Sequence, residues 1–235
     1  MNSLKSKVAL VTGGNRGIGR GIAEALVGEG LVVAITARKE GDATSAAREI
    51  GAARGYACDV RRPGDVQALF AALDRDLGGV DVLVNNAGVG HFAPVAEMSV
   101  EDWQAVIETN LNGLFYCTRE ALPRMQARGG GYVFNLSSLA GRHAMVGGGA
   151  YCASKHAVNG FSEVLFQEVR HAGIRVTCLM PGSVATAFGR GTADKQEWAL
   201  QPSDVGEMVV DLLRTSPRAL HSRVEMRPAR PPKKP

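Results

Sequence analysis

Tyr151 and Lys155 stand four residues apart in the stretch YCASKHAVNGF. On a helix that separation puts a phenol and an ammonium on one face, where both can reach the same small volume. A free tyrosine titrates at about 10 and a neighbouring positive charge favours its phenolate, so the pair suits acid/base chemistry. The spacing equally suits a plain surface pair. A second set lies in TGGNRGIGRGIAEAL, where Gly13, Gly17 and Gly19 form G-x-x-x-G-x-G. Glycine accepts positive φ and lets a pyrophosphate approach the amides at a helix N-terminus, where the dipole favours negative charge. Binders of unphosphorylated NAD carry an acid about 20 residues beyond such glycines to hold the ribose 2′-hydroxyl. Here TARKEG brings Ala37 and Arg38 to that neighbourhood, and Arg16 sits within the glycine loop. Two guanidinium forks suit a 2′-phosphate, so NADP(H) is expected rather than NAD(H). The bland alternative is a pair of solvated surface arginines.

These residues need a scaffold. Short runs rich in Val, Ile and Leu recur at 7–12, 31–37, 55–60, 81–86, 131–138 and 174–182, and HSRVEMRP supplies a short further strand. Segments with helical spacing fall between and after them, at 17–28, 42–53, 63–77, 100–127, 151–171 and about 203–214. Alternating strands and helices predict an α/β fold, a doubly wound parallel sheet of about seven strands with helices on both faces. The runs lack polar alternation, as strands buried on both sides should. Ligands in such sheets bind outside the carboxyl ends of the strands, which is where the glycines stand.

The 235 residues suit one core, assigned to 1–227, and 228–235 is read as a basic, proline-rich tail. The formal charge of +4 and a pI near 9.0 do not by themselves imply nucleic acid, because several cations crowd into RPARPPKKP. Cys58, Cys117, Cys152 and Cys178 show no C-x-x-C spacing and read as reduced core fillers, which favours the cytoplasm. Oxidation of Cys152 beside Tyr151 is the redox alternative. The five histidines lack metal-ligand spacing, so no metal is expected. No stretch reads as a membrane span or a signal segment.

With those motifs in this order, the chain resembles the short-chain dehydrogenase/reductase family over nearly its whole length. TGGNRGIG resembles its nucleotide loop, NNAG (85–88) its fourth-strand signature, ETNLNG its helical asparagine, NLSS its serine and YCASK its Tyr-x-x-x-Lys. The resemblance implies a catalytic set of Asn110, Ser138, Tyr151 and Lys155. Tyr151 would protonate a carbonyl oxygen, Ser138 would hydrogen-bond it, Lys155 would also hold the nicotinamide ribose, and Asn110 would interrupt its helix to fix a water leading from Lys155 to solvent. It also implies cofactor contacts at Asn15 and Ile18 in the glycine loop, at Asp59 and Val60 by the adenine, and at Asn86, Ala87 and Gly88. Pro181, Gly182, Val184 and Thr186 would fold over the nicotinamide, and Tyr151 and Lys155 would touch it too. A homodimer or homotetramer is implied, with 100–127 and 151–171 as its faces.

Substrate choice is expected from 139–149 and 187–202, with His143, Met145, Phe188 and Trp198 as pocket candidates that could instead pack on the sheet. His91 reads as a loop histidine near the cleft. The ending SRVEMRPARPPKKP departs from ketoacyl-carrier-protein reductases and is more similar to small hydroxy-acid or diketone reductases of the same family. The expected activity is hydride transfer between NADP(H) and a small carbonyl compound or secondary alcohol. The competing reading is a non-catalytic NADPH sensor of the same fold, which would have no need of the Tyr-Lys-Ser-Asn set.

Overall fold

The computed structural model describes residues 4–188 and 198–231. Seven of the apolar runs form strands: β1 (Val8–Val11), β2 (Val32–Ala37), β3 (Arg54–Ala57), β4 (Val82–Asn85), β5 (Gly131–Leu136), β6 (Ile174–Pro181) and β7 (Arg223–Met226). They make one sheet in the order β3-β2-β1-β4-β5-β6-β7, and every neighbouring pair is parallel. Successive side chains point to opposite faces of a strand. Ala9 and Val11 of β1, Val33 and Ile35 of β2, and Val82 and Val84 of β4 therefore join one buried cluster, while Leu10, Ala34 and Leu83 join another. Two apolar faces explain why the runs lack polar alternation.

The helices are α1 (Gly17–Gly28), α2 (Glu40–Ile50), α3 (Pro63–Leu77), α4 (Val100–Ile107), α5 (Gly113–Ala127), α6 (Gly149–Val169) and α7 (Pro202–Arg214). Residues of α1, α2 and α7 fill the first cluster; residues of α3, α5 and α6 fill the second. The α1–α7 contact is close enough to exclude side chains: a Cβ on Gly21 would lie 2.5 Å from Pro202, and one on Gly206 would lie 2.5 Å from the Gly21 carbonyl oxygen.

The expected helix over 100–127 is divided. A π-helical turn, Glu108–Asn112, separates α4 from α5. The expected strand over 55–60 stops at Ala57, because the Asp59 carboxylate accepts from the Arg61 backbone amide, an Asx turn that bends the chain. The second helix begins and ends earlier than its spacing suggests, closed by Gly51 at φ 73°.

At the amino edge of the sheet, Asp81 joins three segments. It accepts from the Val8 amide at 2.8 Å, from Lys7 Nζ at 3.2 Å and from Arg128 Nη2 at 3.0 Å. Burial pushes its carboxyl up, but the bonds from Arg128, Val8 and Lys7 outweigh it and hold the group below the usual carboxylate range. Among the described residues no helix is long and apolar enough to cross a membrane. All four cysteines are free and buried.

Candidate active site

The strand order reverses at β1 and β4, and the crevice beyond their carboxyl ends is where the two sequence motifs meet. Thr12, at the end of β1, fastens the crevice floor. Its hydroxyl accepts from the amides of Asn86 and Ala87, each at 3.0 Å. Asn86 returns the contact, its Nδ2 donating to the carbonyls of Thr12 at 2.8 Å and Gly13 at 3.1 Å. A Cβ on Gly19 would stand 2.3 Å from that Asn86 nitrogen and 2.4 Å from the Gly13 oxygen, so only glycine fits there. Gly13 and Gly17 turn the chain with φ of 64° and 55°.

The remaining cofactor candidates surround this turn. Asn15 and Ile18 are half-buried within it, Ile18 against the core. No acid stands in the first turn of α1. Arg16 and Arg38 are exposed, and neither forms a salt bridge among the described residues. This donor set fits a dinucleotide phosphate: glycine backbone at a helix N-terminus, two unpaired guanidiniums and no carboxylate at the expected ribose position. Asp59 is clasped by Arg61, with Nε at 2.9 Å and Nη2 at 2.6 Å, and its carboxyl is held below its ordinary value mainly by that bond. Val60 is buried, and a Cβ on Gly113 would lie 2.7 Å from it. Gly88 lies under Asn110, whose Oδ1 would be 3.2 Å from a Cβ there.

Asn110, in the π turn, is a clamp. Its Oδ1 accepts from the Val89 amide at 2.8 Å, and its Nδ2 donates to the Val89 carbonyl and to Ser154 Oγ, each at 3.0 Å. Ser154 in turn donates to the Tyr151 carbonyl at 2.8 Å. The loop after β4 and the first turns of α6 are thereby tied together.

Tyr151 and Lys155 do share one face of α6. Lys155 is 5% exposed; its Nζ donates to the Leu136 carbonyl at 2.7 Å and lies 5.6 Å from the centre of the Tyr151 ring. Burial pushes this ammonium down to about 8, opposed by Cys178. Burial raises the Tyr151 pKa, offset in part by a hydrogen bond with Ser138. The Ser138 hydroxyl also accepts from the Ala140 amide at 3.1 Å and reaches the Pro181 carbonyl at 3.5 Å. Asn159, one further turn along α6, accepts from Ser137 Oγ at 2.6 Å and donates to the Gly141 carbonyl at 2.8 Å.

The far wall is the loop after β6. Pro181 is buried at the strand end, and the Gly182 amide donates to the Met226 carbonyl at 2.8 Å. Val184 bridges to Leu200, and a Cβ on Gly17 would meet Thr186 at 3.4 Å, which brings this loop against the glycine turn. Phe188 packs on the Tyr151 ring at 5.5 Å, and Met145 is exposed. His143 faces Arg227 at 3.3 Å, and His91 faces Asp102 at 3.0 Å. Trp198 is half-buried, and positions 189–197 of the expected substrate segment lie outside the described residues, as do 232–235 of the tail. No cluster that could hold a metal exists among the described residues.

Sequence reasoning missed Thr12, Phe92 and Asn159. Thr12 is a polar residue closing an otherwise apolar run, and Asn159 extends the Tyr151–Lys155 spacing by another four; both were readable signals. Phe92 stands in a stretch without periodicity, yet its ring lies 5.6 Å from that of Tyr151.

Comparison with known proteins agrees with this geometry. A family model described as short chain dehydrogenase matches residues 7–197. A D-threitol dehydrogenase of Mycolicibacterium smegmatis is 40% identical over 195 residues, 81% of this chain and 75% of that protein. A 3-oxoacyl-acyl-carrier-protein reductase of Vibrio cholerae is 35% identical, over 84% of this chain and 81% of its own. The crystal structure of a metagenomic short-chain oxidoreductase in complex with NADP superposes with a TM-score of 0.85 at 34% identity, covering 98% of this chain and 100% of that one.

Proposed function

Because the chain belongs to the short-chain dehydrogenase family, we propose that it is an NADP(H)-dependent oxidoreductase interconverting a small carbonyl compound and its secondary alcohol, with Tyr151 as general acid/base. The observation that carries this reading is the half-buried Tyr151 ring with Lys155 Nζ 5.6 Å from its centre on the same helix face, next to Ser138. Arg16 and Arg38 favour the 2′-phosphorylated cofactor, and the solved relative in complex with NADP supports the same choice. NADPH, when bound, supplies the hydride.

The protein's part is orientation and proton transfer. Ser138 donates a hydrogen bond to the carbonyl oxygen and fixes it beside the phenol. As the carbon is reduced, the C=O π pair moves onto that oxygen, which takes the Tyr151 proton. Burial raises the phenol's pKa, so the transfer depends on positive charge that stabilises the phenolate as it forms. Lys155 keeps two of its three N–H bonds free after Leu136 takes one, enough to hold a ribose hydroxyl while its charge stabilises the phenolate left behind. Asn110 acts as a positioning residue: the π turn and the Val89–Ser154 clamp hold the loop and the tyrosine in register.

Exposed Phe115 and Val164 on α5 and α6 suit a homo-oligomer built on those helices, checked by light scattering of the protein and of Phe115→Glu. Buried, unpaired cysteines fit a reducing compartment. The test of the activity is NADPH absorbance followed against a panel of ketones, 3-oxoesters, diketones, aldehydes and hydroxy acids. Turnover that Tyr151→Phe abolishes while NADPH still binds is the expected result. Equal turnover in that variant overturns the assignment.

A further inference from the structure

The wall opposite Ser138 is aromatic. The rings of Phe92 and Phe188 lie 5.6 and 5.5 Å from the Tyr151 ring, tilted by 56° and 52°. Both converge on one point of backbone: a Cβ on Gly90 would stand 2.8 Å from Phe92 Cε2 and 2.9 Å from Phe188 Cε1. The Tyr151 ring therefore has two aromatic rings beside it, besides Ser138 and Lys155.

The segments that carry this wall are held in place, and their polar side chains are paired. The Ala93 amide donates to the Gly147 carbonyl at 2.9 Å, and Ala93 pairs with Gly148 in a short parallel bridge, which joins 89–93 to 142–148. The polar residues of those segments are His91, Arg142 and His143. His91 faces Asp102, Arg142 is paired with Glu225, and His143 faces Arg227. In the third segment, 186–188, the Thr186 hydroxyl accepts from the Phe188 amide. Among the described residues of these segments the other side chains are apolar, with Met145 half exposed and Val146 fully so. A pocket of this composition recognises its ligand by ring contact and apolar area, with a few polar groups to fix one oxygen.

We infer that the substrate class is an aryl or similarly planar, apolar ketone, whose ring lies against Phe92 and Phe188 while its oxygen meets Ser138 and Tyr151. This deepens the reductase reading and rests on it. A polyol-derived ketone or a short oxo-acid would leave its hydroxyls or carboxylate unpaired against this wall, at a cost an aryl group does not incur. The substrate class thus differs from the one named for the D-threitol dehydrogenase relative.

The experiment compares acetophenone, erythrulose and acetoacetate as substrates with saturating NADPH, and measures acetophenone binding to the NADP⁺ complex by calorimetry. Acetophenone should give a kcat/KM at least about tenfold above either polar ketone. Phe92→Ala and Phe188→Ala should each remove most of that preference through KM, while Phe92→Leu retains part of it. Unchanged NADPH affinity and circular dichroism identify the variants as folded. Erythrulose or acetoacetate preferred over acetophenone overturns the inference, as does a preference insensitive to both phenylalanines. Absence of turnover with all three counts against the reductase reading, and binding then decides the wall. Acetophenone held by the native complex and lost in Phe92→Ala supports the aromatic site, and no binding overturns it.

Discussion

The two sides of the crevice are built by different means. On the nucleotide side, backbone is fastened to backbone. Thr12 and Asn86 lock the ends of β1 and β4, and glycines stand where any Cβ would collide. On the substrate side, contacts run between side chains on loops, such as Phe92 and Phe188 around Tyr151 and His143 against Arg227. The first arrangement is fixed by residue type at each position, and few substitutions can preserve it. The second can be re-tailored one side chain at a time, which is how a shared cofactor fold serves many substrates.

The largest effect expected of any substitution lies where the two sides meet. Tyr151→Phe should lower kcat by about 10²–10⁴-fold, the range of general acid catalysis, with NADPH affinity intact. A change confined to turnover would sharpen the division; a matching loss of cofactor affinity would break it. Gly19→Ala tests the nucleotide side. Its Cβ must displace Asn86 or the Gly13 carbonyl, so NADPH should bind on the order of 100-fold more weakly, about 3 kcal/mol of displaced backbone and lost hydrogen bonds. Fluorescence titration measures this, and an affinity within about threefold of the parent would show that the cradle tolerates a methyl group. Arg38→Asp should weaken NADPH binding about tenfold and narrow the preference over NADH, since one charge-assisted contact to a phosphate is lost and a repulsive one gained. Equal affinity for NADPH in that variant removes Arg38 from the site.

The smallest effect concerns stability at the opposite end of the sheet. The Asp81 carboxyl is held below its unfolded value, so its contribution is complete above about pH 4 and is lost as pH falls through the lower folded value. Asp81→Asn should cost about 1–2 kcal/mol at neutral pH, discounted because Lys7 and Arg128 are half exposed. The difference in melting temperature from the parent should shrink toward zero in acid. A difference independent of pH would assign the loss to shape instead of charge.

The same division governs how far the residues alone reveal the protein. Strands, their parallel order and the glycine turn follow from local pattern, because burial on two faces and positive φ each leave a mark on nearby sequence. The break at Asn110 left no such mark in local pattern, and only the family resemblance implied it. The residues of 100–127 keep helical spacing through the π turn, and Val89 and Ser154, 21 and 44 positions away, show why the asparagine stands there. The contact of His143 with Arg227 spans 84 positions, and no local rule could foresee it. Phe92 was hidden for the same reason. Its meaning comes from two rings that approach it from α6 and from the loop after β6. The sign of the Tyr151 shift also depends on burial, a property of the finished fold.

The glycine contact between α1 and α7 has a consequence for the order of events during synthesis. The helix that follows the glycine turn is made early, but the surface it leans on, Pro202 and Gly206, emerges from the ribosome far later. A nascent chain holds the complete glycine turn long before it can bury the helix behind it. Such long-range pairing is gained late in folding, when loop closure has already been met. Cofactor affinity should therefore arise abruptly with the docking of α7, making dinucleotide capture a readout of completed folding and not of the glycine motif alone.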